Sequence, residues 1–348
     1  MWLRNAWYVV AARDELVPDA LLARTVIGQP LVLYRAGNGA VVALEDRCCH
    51  RLAPLSKGRR EGDDLRCMYH GMKFAPDGRC VEIPGQSAIP AEARVGSYPV
   101  RESGAWVWVW MGEQAADPAL LPVTIAPEDD GWRIAGGHLD YDAHYQLIND
   151  NLLDLSHLSF THEHTLGRDT PGWAGSRPRL VRLARGVRFR RWLPDYRHSR
   201  HLGHLGTQFD LWHHYDFLVP GIFIQRSAWY ALGTAARLDN APPEAPALFE
   251  RCDEQAVTPA TANTARYWYT AGVRRDDADD AYVARQLTFT ERAFNEDKAI
   301  IEAQQRVIDL DPAHPMLPTS FDAGPTTFRR LLAQLVEQEQ GAAKAASG

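Results

Sequence analysis

The spacing of apolar and polar positions changes period along the chain. Over residues 1 to about 115 it is that of short strands broken by turns. Pro30-Leu31-Val32-Leu33-Tyr34 and Val41-Val42-Ala43-Leu44 flank Gly37-Asn38-Gly39, a turn signal, and predict a hairpin. Phe74-Ala75-Pro76-Asp77-Gly78-Arg79 carries a second turn. Trp106-Val107-Trp108-Val109-Trp110 alternates aromatic and β-branched residues, which predicts a strand with one aromatic face buried. The polar run from Gly112 to Pro118 follows, and we place a domain boundary after residue 115. Between about 145 and 160 the period becomes helical. Leu147, Ile148, Asn151, Leu152, Leu155 and Leu158 recur at three- and four-residue steps. Strand-like segments return at Leu180 to Trp192, a hairpin around Gly186, then at Phe217 to Leu232 and Arg266 to Val273. Two helices, roughly Ala281 to Leu310 and Thr327 to Gln340, precede a small polar tail. The expected fold class is α+β, with an all-β domain over 1–115 and a mixed domain over 116–348.

Composition narrows the class of protein. The 348 residues give room for two or three domains at roughly 150 residues each. A content of 45% hydrophobic and 24% charged residues is that of a globular chain with a core. The net charge of −6 argues against a general nucleic-acid binder. No apolar run approaches the ~18 residues that span a bilayer, and Met1-Trp2-Leu3-Arg4-Asn5 lacks the apolar core of a signal peptide. Five cysteines make no disulfide framework, so a reducing cytoplasm is the expected location.

Two pairs of residues carry metal chemistry. Cys48-x-His50 and Cys67-x-x-His70 each supply one thiolate and one imidazole. This is the donor set of a Rieske 2Fe-2S centre, in which two His replace two Cys on one iron. Cys2His2 also suits structural zinc, but zinc fingers usually pair Cys with Cys and His with His along the chain. Cys49, between two of these residues, is expected to pack the loop. Further on stand His157 and His162. On a straight helix they point ~140° apart, so they converge on one ion only if the helix ends between them. Thr161 and Glu163-His164 make such an end plausible. Asp154 and His157, three apart, share a helical face, so Asp154 is expected to orient His157. Two His and a carboxylate form the facial triad of non-haem iron oxygenases, with positions open for oxygen. Asp297 is the candidate carboxylate, with Glu296 and Asp154 as rivals.

These motifs together resemble the oxygenase component of Rieske non-haem iron oxygenases, of the vanillate O-demethylase, dicamba demethylase and toluenesulfonate methyl-monooxygenase type. The resemblance covers nearly the whole chain. It is carried by Arg4-Asn5-Ala6-Trp7-Tyr8-Val9, Cys48-Cys49-His50-Arg51 with Ala53-Pro54-Leu55, and Tyr69-His70-Gly71. Asp150-Asn151-Leu152-Leu153-Asp154, the His157/His162 pair and Glu296-Asp297-Lys298 complete it. Ile83-Pro84-Gly85-Gln86 and the double cysteine are most similar to the toluenesulfonate type. The resemblance implies a Rieske β domain followed by a helix-grip catalytic domain, with one 2Fe-2S cluster and one mononuclear Fe(II) per chain. It implies Cys48, His50, Cys67 and His70 as cluster ligands, His157, His162 and Asp297 as iron ligands, and Asp154 and Asn151 as catalytic residues. It also implies a homotrimer in which His70 faces Asp154 of the neighbouring subunit.

A 2Fe-2S cluster passes electrons one at a time, and the chain has no G-x-G-x-x-G fingerprint after a strand. A separate reductase or ferredoxin is therefore expected as donor. The expected reaction is oxidation of a methoxy or methyl group of a small aromatic acid with O2, by O-demethylation or methyl hydroxylation. The competing readings are a ring cis-dihydroxylating dioxygenase, a non-catalytic Rieske electron carrier and a zinc-stabilised binding protein. By resemblance to the dicamba enzyme, Gln225 matches a polar substrate contact and Gln255 another. Arg226 lies on the opposite strand face from Gln225. Seven arginines between Arg177 and Arg191 read as a solvated hairpin face, with docking of an acidic donor as the alternative. His198, His201 and His204 read as part of a loop over the pocket mouth rather than a second metal site.

Overall fold

Two units make up the protein in its computed structural model, which describes residues 2–166, 177–197 and 205–347. The first comprises Met1–Val123 with Thr258–Ala262. Its strands are β1 (Trp7–Ala12), β2 (Leu22–Val26), β3 (Gln29–Arg35), β4 (Val41–Glu45), β5 (Arg59–Glu61), β6 (Asp64–Arg66), β7 (Lys73–Phe74), β8 (Cys80–Glu82), β9 (Ser97–Tyr98), β10 (Val100–Ser103) and β11 (Trp106–Trp110). They form three sheets, ordered β1-β11-β10, β2-β3-β4-β9 and β5-β6-β7-β8. The β3–β4 turn closes through Ala36 N–H to Ala40 O at 2.8 Å, around the expected glycines. In β11 the alternation hides more burial than it signals. Val107 and Val109 are as buried as the three tryptophans, so both faces of this central strand are covered.

The first unit runs past the boundary expected after residue 115. The Trp110 indole donates to Gln114 O at 2.9 Å and the Trp7 indole to Asp117 O at 2.8 Å. The polar stretch is thereby tied back to β11 and β1, and the unit ends at Val123.

The second unit comprises Thr124–Val257 and Asn263–Gly348. Its elements in order are β12 (Trp132–Tyr141), α1 (Tyr145–Leu153), α2 (Leu158–Thr161), β13 (Arg179–Leu183), β14 (Gly186–Arg197), β15 (Gln208–Leu218), β16 (Ile222–Ala231), α3 (Thr234–Arg237), β17 (Phe249–Pro259), β18 (Ala265–Arg274), α4 (Asp280–Leu310) and α5 (Ala323–Ser347). One seven-stranded antiparallel sheet, ordered β12-β18-β17-β16-β15-β14-β13, organises it. The fold is α+β, as expected. Among the described residues no helix is long and apolar enough to cross a membrane.

Helix α4 starts where the Asp279 carboxylate accepts Tyr282 N–H at 2.7 Å. Thr290, Phe294, Asp297, Ile301 and Gln305 are buried and recur at steps of three and four, so one stripe faces inward. Three of those five carry polar side chains, which a purely structural stripe would not need. Gln305 Oε1 accepts His144 N–H at 2.8 Å and Glu302 Oε1 accepts Asp142 N–H at 3.0 Å. These bonds fix the start of α1 against α4. At its other end α1 is held by the Asp150 carboxylate paired with Arg329 of α5.

Gln305→Ala removes an acceptor from a part-buried N–H, which costs about 1–2 kcal/mol. A lower denaturant midpoint at unchanged slope is the expected result, and an unchanged midpoint would show that α1 is held without this bond.

Candidate metal centres

In the first unit two loops are closed by backbone bonds. Cys48 N–H donates to Ala53 O and Leu52 N–H to Cys48 O, both at 2.9 Å. Asp46 secures the loop by accepting Ser56 N–H at 2.6 Å and the Ser56 hydroxyl at 2.7 Å. In the second loop Cys67 N–H donates to Met72 O at 2.8 Å and Gly71 N–H to Cys67 O at 3.0 Å. Gly71 has φ +80°, and a Cβ there would lie 2.7 Å from Pro84 Cγ, so this turn requires glycine. Arg66 donates to Gly71 O at 2.6 Å while pairing with Glu61 and Glu82.

The two loops bring the four predicted residues together. Cys48 and Cys67 are buried, whereas His50 and His70 are exposed with ring centroids 4.6 Å apart. Burial pushes the Cys48 thiol up to about 11, and the adjacent Cys67 adds to this. A thiol so raised becomes a thiolate near neutral pH only with a bound cation to offset the charge. Buried sulfurs with outer imidazoles fit a 2Fe-2S cluster bound by Cys on one iron and His on the other. Cys49 is exposed, so it does not pack the loop from within.

In the second unit the helical period of residues 147 to 158 conceals a break. Helix α1 ends at Leu153, and Asp154 is extended (φ −124°, ψ 97°). A 3-10 turn, Leu155–His157, leads into the single turn of α2, with His157 at its start and His162 at its end. The expectation that Asp154 orients His157 through its carboxylate is corrected. His157 Nδ1 meets the backbone carbonyl of Asp154 at 2.6 Å. The Asp154 carboxylate instead accepts Ser156 N–H at 2.9 Å and caps the turn. Spacing of three gives a shared face only within a helix, and the helix has already stopped.

His157, His162 and Asp297 lie together, with ligand atoms all within 4.8 Å of one another. Asp297 Oδ1 is 3.2 Å from His162 Nε2 and 3.5 Å from His157 Nε2. The remaining ring nitrogens are occupied. His162 Nδ1 is 2.9 Å from Glu296 Oε2, which also accepts the Thr165 hydroxyl at 2.5 Å. With Nδ1–H donated to Glu296 and to the Asp154 carbonyl, each Nε2 is the nitrogen that would carry the lone pair for a metal ion, on the side of Asp297. Burial pushes the His162 pKa down, but Asp297 and Glu296 outweigh it and hold it above the ordinary value. Of the three carboxylates weighed from sequence, Asp297 joins the imidazoles, Glu296 takes the far nitrogen and Asp154 does neither with its side chain. The Asn151 amide donates to Asp297 Oδ1 at 3.0 Å and lies 3.3 Å from His157 Nε2.

A cavity of about 150 Å³ opens beside this cluster. Leu158, Phe223 and Phe294 give it apolar surface. Its polar wall comes from β16 and β17, where register sets Gln225 opposite Asp253, Ser227 opposite Arg251 and Phe223 opposite Gln255. Gln225 Nε2 lies 3.1 Å from Ser227 Oγ and 3.3 Å from Asp253 Oδ2. Arg251 donates to Asp253 Oδ1 at 3.2 Å. Gln255 Oε1 is buried and has no hydrogen-bond partner among the described residues. Arg226 turns away, donating to Glu254 at 3.0 Å and lying over the Trp132 ring.

Sequence reasoning missed β17 as a strand, and with it Arg251 and Asp253. Only the alternation of Arg251, Asp253 and Gln255 with Cys252, Glu254 and Ala256 signals it, and both sets are largely buried. In the arginine-rich hairpin, Arg177 reaches Ser320, Arg182 reaches Gln334, Arg188 pairs with Asp216 and Arg191 is buried. These four serve the second unit's own packing. His198, His201 and His204 lie outside the described residues.

Comparison with known proteins bears on both centres. Residues 6–99 match the family described as Rieske [2Fe-2S] domain, and residues 141–338 match the vanillate O-demethylase oxygenase C-terminal domain. The chain is 39% identical to the toluene-4-sulfonate monooxygenase system iron-sulfur subunit of Comamonas testosteroni, over 98% of this chain and 99% of that protein. It is 31% identical to the vanillate O-demethylase oxygenase subunit of Pseudomonas sp. (strain HR199 / DSM 7063), over 99% and 98%. The crystal structure of dicamba monooxygenase with non-heme iron and dicamba aligns with a TM-score of 0.81 at 27% identity, covering 98% of this chain and 99% of that one.

Two substitutions separate the neighbouring carboxylates. Asp297→Ala should lower iron content by about one per chain and spare the cluster spectrum, because a triad ligand is lost. Glu296→Gln should keep that iron but weaken its affinity about ten- to a hundredfold, as loss of a ligand's partner does. The reverse pattern would exchange the two roles.

Proposed function

The chain belongs to the Rieske non-haem iron oxygenases, as the oxygenase component of a multicomponent monooxygenase, and we propose that it oxidises a methoxy or methyl group of a small aromatic acid. Electrons come from a separate reductase or ferredoxin, and the protein works as a homotrimer in the cytoplasm. The observation that carries this reading is that the triad lines one cavity together with Leu158, Phe223 and Phe294 and with the polar side chains of β16 and β17. When bound, the cluster supplies electrons singly and the mononuclear iron supplies O2 activation for insertion into a C–H bond. A methoxy group so oxidised collapses to formaldehyde and a phenol, and an aryl methyl group gives a benzylic alcohol.

The chain's own residues divide the remaining work. Cys48, His50, Cys67 and His70 hold the cluster. His157 and His162 through Nε2, with Asp297 through its carboxylate, hold the mononuclear iron. Glu296 keeps the His162 tautomer, and the Asp154 carbonyl keeps that of His157. Asn151 steadies Asp297 by its amide. Leu158, Phe223 and Phe294 pack the aromatic ring and exclude water, while Gln225 and Gln255 stand in the polar wall of β16 and β17 that fixes its orientation. Asp154 has a second role. One carboxylate oxygen caps the turn that carries His157, and the other is available to His70 of the neighbouring subunit in a head-to-tail ring.

Asn is itself a good helix cap, so Asp154→Asn should preserve both metal centres and the trimer. Reoxidation of reduced cluster with substrate and O2 should nevertheless slow by about tenfold or more, ~1.4 kcal/mol of barrier. A wild-type rate, or a fully active monomer in sedimentation, would sink the inter-subunit route. The reaction itself is read from products. Formaldehyde from a methoxybenzoate or a benzylic alcohol from a methylbenzenesulfonate is expected. Turnover of neither, with cis-dihydrodiols from unsubstituted rings, would replace the monooxygenase by a dioxygenase.

A further inference from the structure

We propose that Arg251 is the residue that makes this cavity select an anionic ring substituent, its guanidinium anchoring the carboxylate or sulfonate while Asp253 holds it in place. The inference rests on the oxygenase reading of the cavity and adds the group that sets its specificity. Arg251 lies on β17 opposite Ser227 and lines the cavity with Asp253 and Gln255, at alternate positions of the same strand. Its side chain is only 17% exposed. Among the described residues its guanidinium makes one hydrogen bond, the 3.2 Å contact with Asp253 Oδ1.

Three features make an anion the fitting partner. A guanidinium presents a fork of N–H donors and satisfies it best with a planar or branched oxyanion. With one 3.2 Å contact to Asp253, the remaining donors of a mostly buried guanidinium are open to a further acceptor. The other Asp253 oxygen, Oδ2, is turned to the Gln225 amide at 3.3 Å rather than to the guanidinium. The other polar groups of the wall are less suited to an anion. Gln225 Nε2 lies against Ser227 and Asp253, and the open atom of Gln255 is an acceptor. Gln225 thus positions Asp253, and Gln255 Oε1 is placed for a hydroxyl or amide donor on the ring.

Charge points the same way. Arg251 is the one Arg or Lys among the described residues that line the cavity, so it is the fixed cation there that a substrate anion can meet.

The test is anaerobic calorimetric titration of the trimeric holoenzyme with 4-methylbenzoate and with its neutral isostere 4-methylbenzamide, so that binding is read without turnover. Wild type should prefer the benzoate. Arg251→Leu should weaken benzoate about ten- to a hundredfold, as loss of a charged hydrogen bond does, and change benzamide little. Arg251→Lys should recover part of the loss, keeping the charge without the fork. The double variant R251L/D253N leaves no unpaired carboxylate in the cavity and should show the same selective loss if folding is intact. Equal affinity for both ligands in wild type, or an equal loss of both in R251L and the double variant, would overturn the anchor. Benzylic alcohol formed by an enzyme without the preference would leave the oxygenase reading standing. An Arg251-dependent preference without any oxidised product would support the anchor while removing that reading.

Discussion

Helix α1 has to stop at Asp154 for the second centre to exist. A helix end frees carbonyls that have no partner along the helix. The Asp154 carbonyl takes the Nδ1–H of His157, so the interruption supplies both the change of direction and the acceptor that fixes the imidazole. The other imidazole is gripped by two consecutive residues of α4. Successive helix positions point roughly 100° apart, and His162 sits between Glu296 on Nδ1 and Asp297 on Nε2. A centre built this way depends on α1 and α4 keeping register with one another. The bonds from Glu302 and Gln305 to the start of α1 supply that register.

The rest of the second unit follows from presenting this centre to a substrate. Thr290, Phe294 and Asp297 on α4 and the paired residues of β16 and β17 close around one cavity, so the candidate carboxylate ligand and the cavity's polar wall stand on regular elements. Sites on such elements hold their geometry better than sites on loops. In the first unit the four candidate cluster ligands stand on loops, and the compensation is local. Asp46 and Arg66 each tie a loop down through charge-assisted bonds, and the two thiols are buried beneath it.

Much of this was legible in the residues. The mixed Cys/His spacing, the turn glycines and the long polar-striped helix carry their meaning in side-chain identity. Three features did not. Apolar positions keep helical spacing across Asp154, because Leu155 and Leu158 line the cavity after the break, so periodicity points to one helix. The partner of His157 is a backbone carbonyl, which residue type cannot reveal. Strand β17 carries charge on both faces, Arg251 and Asp253 toward the cavity and Glu254 toward Arg226, so no alternation of apolar with polar residues marked it. The same two-sided burial of polar groups that hid the strand gives the cavity its wall. The later boundary at Val123 has a like cause, since indole bonds to the carbonyls of Gln114 and Asp117 leave no trace in a polar run.

Anomalous diffraction at the iron edge from crystals of the iron-loaded protein tests the central geometry most directly. One peak should lie within coordination distance of His157 Nε2, His162 Nε2 and an Asp297 oxygen, with Glu296 on the far side of the His162 ring. A peak bound by Glu296 with Asp297 turned away, or no second peak in protein whose cluster is fully loaded, would contradict it.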